Sequence, residues 1–177
     1  MKTYVITLSK QFPAGHIRAG EPTYFKEQMQ NGVLAEADLS ACDCCDYATR
    51  NCDTCGHKAV SFRKKIHTIR ANYPLWAKRI AEVEQGEACL SIRQWTDKPY
   101  RSKQVEIARL TKADGVGIQR LEFVNENLGL PRIGIVYQRK LELAHNDGLS
   151  FEDWEFWFRE YDLTQPMAII HFTPFRY

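Results

Sequence analysis

A chain of 177 residues, 44% hydrophobic and 26% charged, can bury one ordinary core but not two, and it lacks the apolar run of roughly 18 residues that a membrane-spanning helix needs. Its opening stretch is too short and too strand-like for a signal peptide, so the reading is a cytoplasmic protein whose six cysteines hold metal or stay as free thiols. The formal net charge of +2 conceals an asymmetry, because residues 58–112 carry thirteen Lys/Arg against five Asp/Glu while 142–162 carry seven acids and only Arg159.

Residues 3–9 alternate Tyr4, Ile6 and Leu8 with Thr3, Val5 and Thr7 and predict a strand. A loop with turn residues follows at 15–22, then a short helix over 24–30 that Gly32 stops. Residues 38–60 form a cysteine-rich insertion, and 64–70 a short β-branched segment with an unusual polar load. Asn72 caps a helix over Tyr73–Gln85, with Pro74 in its first turn, Gly86 just past its end, and Trp76, Ile80 and Val83 on one face. Strands are expected at Ala88–Trp95, Gln104–Leu110, 118–124 and 133–143. Ser150 and Asp153 open a helix through Tyr161, and 167–173 is the closing strand. Many strands and few helices predict an α+β fold, a small mixed and mostly antiparallel β-barrel with flanking helices, in one domain over 1–177.

Cys42 and Cys45 make one Cys-x-x-Cys, Cys52 and Cys55 another, with turn-forming Asp, Asn and Gly around them. Two such knuckles suit tetrahedral structural zinc; a disordered thiol-rich loop or disulfides are the alternatives, and Cys44 or His57 can substitute as a ligand. The insertion has too few apolar residues to fold alone, so the metal would supply its order and could present it to a protein partner. Cys89, on an apolar strand, reads as a buried core thiol. Phe151, Trp154, Phe158 and Tyr161 have the spacing of one buried helical face rather than of a base-stacking platform. The polar turn over 98–104 is either an ordinary hairpin or a contact for phosphates through Arg101 and Lys103 with Tyr100 on a base.

The run Lys65-Ile66-His67-Thr68-Ile69-Arg70, then a helix, then Gly86-Glu87 opening an apolar strand, resembles the ASCH family, a branch of the PUA-like β-barrels. That family is associated with RNA binding, and some members hydrolyse the amide of acetylated cytidine nucleosides. The resemblance places the family's lysine on Lys65, its threonine on Thr68, its arginine on Arg70, its Gly-Asp pair on Gly86-Glu87, and its later glutamate on Asp147, with Ser150 at the next helix cap. It implies a catalytic set of Lys65, Thr68 and Asp147, with Arg70 and Glu87 binding substrate, although Asp147 is one methylene shorter than the family's residue. The insertion and residues 113–141 have no counterpart. Lys65 and Thr68 are three apart, the wrong parity for one strand face, so the lysine must sit at the strand's entrance or on a bulge. His67 falls at a variable position of the signature and reads as structural.

Three functions remain open on the sequence: a reader of RNA or of a modified nucleotide, an amidohydrolase acting on an acylated cytidine-type nucleoside, and a zinc-loop module for a protein partner.

Overall fold

The computed structural model describes residues 1–33, 64–124 and 129–177. In chain order these form β1 (Lys2–Leu8), α1 (Phe25–Val33), β2 (His67–Arg70), α2 (Tyr73–Gln85), β3 (Ala88–Trp95) and β4 (Gln104–Leu110). A short 3-10 turn (Lys112–Asp114) leads to β5 (Gly117–Val124), β6 (Leu130–Ile133), β7 (Val136–Tyr137), α3 (Lys140–Asn146), α4 (Phe151–Phe158) and β8 (Met167–His171).

The strands divide into two sheets, ordered β1-β3-β4 and β2-β8-β5-β6-β7. Only β1 and β3 run parallel, with Lys2 opposite Ala88 and Leu8 opposite Gln94; every other pairing among the described residues is antiparallel. The fold is thus α+β and mostly antiparallel, but the expected closed barrel is not formed among the described residues. No helix among them is long and apolar enough to cross a membrane.

What joins the sheets is α2. Its start is fixed by the Asn72 side chain, which accepts from the Leu75 N–H at 3.2 Å, and its end by Gly86 in the left-handed region at φ 85°. Ile80 and Val83 are fully buried on the face that packs across β3, β5 and β8. Every residue of β8 is buried, and the strand is held between β2 and β5. On β1 the alternation works as read, Ile6 and Leu8 turning inward.

Three elements differ from the sequence reading. The first helix does not stop at Gly32 but runs through it to Val33. Gly32 serves close approach instead, since a Cβ there would lie 2.7 Å from the Lys65 carbonyl oxygen. The strand expected over 133–143 breaks at Gly134, φ 60°, into the end of β6, the short β7 and then α3. Finally, α4 ends at Phe158, before Tyr161, which is exposed, while Trp154 and Phe158 fill the core.

Candidate functional site

Lys65 lies just before β2, where its parity is free of the strand. Its backbone N–H donates to the Gln28 carbonyl at 3.0 Å, and it forms an isolated antiparallel bridge with Asp147. The adjoining Ile66 N–H donates to Asn146 O at 2.9 Å, and Ile66 O accepts from Phe172 N at 2.9 Å. Residues 65–66 are therefore clamped between α1, the end of α3 and the residue that follows β8. Asp147 caps α3, its N–H donating to Leu143 O at 3.0 Å and Ala144 O at 3.1 Å. The chain then turns at Gly148, φ 80°, where a Cβ would press on the Gln28 amide and, at 3.3 Å, on Lys65 Cβ.

Across 82 residues of sequence, the side chains meet. Lys65 Nζ donates to Asp147 O at 2.5 Å and to Asp147 Oδ1, and it sits 4.3 Å from the centre of the Phe25 ring. The two side chains are 1% and 5% exposed, so water barely reaches the pair. Thr68 and Arg70, from β2, line the same cleft, which Leu8, Phe25, Leu149, Trp157 and Phe158 wall with apolar surface. Arg70 Nη2 donates to Thr7 O at 2.8 Å, while its Nε is buried without a partner. The four residues that the resemblance singled out as lysine, threonine, arginine and acid are thus brought together, and the shorter Asp147 reaches Lys65 directly.

Burial pushes the Lys65 ammonium below its ordinary pKa, opposed by Asp147 and assisted by Arg70. Burial also pushes the Asp147 carboxyl up, opposed by Lys65, by Arg70 and by the Ile69 N–H. Both shifts run toward a lysine that gives up its proton more readily than a free one. The space in the cleft is small, a cavity of about 20 Å³. A single water needs roughly 10–15 Å³ on that measure, so the floor admits a water or the tip of a small group, not a nucleobase.

The other expected site residues do not line this cleft. Glu87 is exposed, its carbonyl accepting from Lys2 N at 3.2 Å at the start of β1, whereas Leu8 and Ser9 line the cleft at the other end. A seven-residue strand spans about 20 Å, so assigning Glu87 to the same site is corrected. Tyr100, Arg101 and Lys103 lie outside the cleft, on the β3–β4 turn. Cys42, Cys45, Cys52 and Cys55, with Cys44 and His57, fall outside the described residues. Among the described residues no group of three or more His, Cys, Asp or Glu could hold a metal.

One buried network has no signal in the sequence. His67 and His171 face each other across β2 and β8, both without exposure, and His67 Nε2 lies 2.7 Å from the Tyr177 hydroxyl. That hydroxyl accepts from Asn146 Nδ2 at 2.9 Å, tying the network to the residue preceding Asp147. His67 is thus held inside the fold and does not line the cleft. Burial holds it well below the usual histidine range, with His171 and Lys65 adding to the effect; burial, then Arg176, lowers His171 to about 3. Both are neutral in the fold and take up protons on unfolding below about pH 6.5. Stability is expected to be full above that pH and to fall by about 1.4 kcal/mol per pH unit per histidine as the solution is acidified. Urea unfolding at pH 7, 6 and 5 measures the slope, and His171→Phe should reduce it.

Comparison with known proteins finds no matching family model, no matching curated protein and no matching solved structure.

Proposed function

We propose that the cleft is the active site of an amidohydrolase that removes a small acyl group from the exocyclic nitrogen of a cytidine-type nucleoside, on a domain of ASCH, PUA-like type. The observation that carries this is Lys65, sealed from water between Asp147 and Phe25, with its pKa lowered, in one cleft with Thr68. A neutral Lys65 takes the Thr68 hydroxyl proton as that oxygen attacks the acyl carbon. The C–N bond then breaks, and Lys65 returns the proton to the departing nitrogen. Water hydrolyses the resulting ester and releases the free acid. Arg70 Nε, a buried donor without a partner, suits the developing charge on the carbonyl oxygen. Asp147 holds the lysine in place.

The test is release of acetate and cytidine in equal amounts from N4-acetylcytidine. Thr68→Val, which keeps the shape, is expected to lower kcat/KM about a hundredfold or more with little change in Tm. Because the floor is so small, activity should fall as acetyl gives way to butyryl and benzoyl. Wild-type protein that yields neither product overturns the reading.

Binding of RNA or a modified nucleotide without turnover is the second reading. It is favoured by the way both the carbonyl and the carboxylate of Asp147 occupy the ammonium of Lys65. Calorimetric binding of the intact acylated nucleoside, with no product formed, would identify it. Zinc at Cys42, Cys45, Cys52 and Cys55 is a proposal from spacing alone.

A further inference from the structure

The cations on the β3–β4 turn take no part in the cleft, yet the turn is tightly braced. Thr96 N donates to Lys103 O at 2.9 Å and Arg101 N to Lys98 O at 3.2 Å. The Ser102 hydroxyl accepts from Asp97 N and donates to Lys98 O, both at 3.0 Å. At the apex Tyr100 has φ 63°, a left-handed conformation that costs a tyrosine backbone energy, and it is 90% exposed. Its ring centre lies 5.4 Å from that of Trp95, which is half-buried at the end of β3. Strain that pushes an aromatic ring into water is a reason to look for a ligand.

Charge points the same way. Lys98, Arg101 and Lys103 are exposed, and none has an ion-pair partner among the described residues. On β4, β5 and β6 the arginines are matched, Arg109 with Glu106 at 3.0 Å, and Arg120 and Arg132 with Glu122 at 2.7 Å each. Lys10 adds a fourth cation, its Nζ donating to Thr96 O at 2.6 Å, and Asp97 is the only acid on the turn.

We propose that this turn is a binding site for single-stranded nucleic acid, with phosphates on Lys98, Arg101, Lys103 and Lys10 and one base stacked on Tyr100 beside Trp95. Unpaired bases offer a free face to a ring, which a duplex hides within its stack, and phosphates answer the unmatched cations. An acidic peptide would satisfy the charges but leave the strained tyrosine without a role. The site lies at the cleft's end of the sheet, since Gln94 Nε2 donates to Ser9 O at 3.4 Å and Ser9 lines the cleft. It does not depend on the chemistry of that cleft.

The experiment is fluorescence anisotropy of the full chain with labelled twelve-residue single-stranded RNA and DNA and a duplex of the same sequence, across a salt series. Wild type should prefer the single strands, with affinity falling as salt rises. Arg101→Ala with Lys103→Ala should flatten the log–log salt slope by about 1.4, at about 0.7 for each phosphate no longer neutralised. Tyr100→Gly should weaken binding roughly tenfold to a hundredfold with the slope kept, while raising Tm because the backbone strain is relieved. Thr68→Val should leave binding unchanged, so this site and the cleft fail separately. No binding at low salt, equal binding of the duplex, or indifference to both sets of surface variants would overturn the proposal.

Discussion

Lys65→Met is expected to cost about 3–5 kcal/mol of stability and, on the proposed amidohydrolase reading, to abolish acetate release from N4-acetylcytidine. The substitution keeps most of the side-chain volume but leaves the carboxyl of Asp147, 5% exposed, without its cation. That penalty belongs to the orphaned charge more than to the missing attraction, and a second variant separates the two. Lys65→Met with Asp147→Leu replaces the pair by apolar groups and should recover most of the stability in urea unfolding, yet remain inactive. The pH dependence gives an independent check. In the single variant Asp147 has a folded pKa above its unfolded one, so the fold is favoured below the unfolded value and loses stability as pH rises through the folded value. The deficit relative to wild type should therefore shrink in acid. A single variant as stable as wild type at pH 7 would show that the pair is not sealed.

Trp154→Ala should be nearly as damaging, at about 3–5 kcal/mol. Trp154 is the largest fully buried side chain among the described residues, and its ring centre lies 5.1 Å from that of Phe158 and 6.1 Å from that of Phe123. The same helix supplies Trp157 and Phe158 to the cleft wall, so the cavity left behind lies against the Phe158 ring of that wall. Thermal unfolding measures the loss, and Trp154→Phe should restore about half. The Trp154 Nε1 has no partner, so the phenylalanine gives up no hydrogen bond.

The legible parts of this chain are those whose cause is local. The cap at Asn72, the glycine after α2 and the stripe of Ile80 and Val83 are each written within a few residues, and α2 lies where they place it. The meeting of Lys65 with Asp147 is legible only through the resemblance, because nothing local links residues 82 apart. Glu87 misleads because its distance from the cleft depends on the direction of β1, and the parallel pairing of β1 with β3 has no local signature. The helix α3 is hidden for another reason. Ile133, Ile135 and Tyr137 alternate like a strand, and α3 is short and its N-cap, Arg139, makes no side-chain capping hydrogen bond. Separation into two sheets depends on how α2 packs between them, a matter of shape rather than of pattern. Tyr177 and the paired histidines carry no periodicity at all.

The place of β8 in its sheet has a bearing on how the chain is assembled. It lies between β2 and β5, yet it is the last of the described strands in sequence, and its register with β2 sets Thr68 opposite Ile170, about a hundred residues apart. A ribosome delivers residues in order, so β2 must wait, its backbone groups unmatched, until β8 emerges. The bridge from Lys65 to Asp147 waits nearly as long. Contacts of such long range are slow to close, and an unpaired strand is open to association with other chains in the interval. The half of the molecule that carries the cleft is thus the half completed last, and it is there that a helper binding nascent chains would have most to protect.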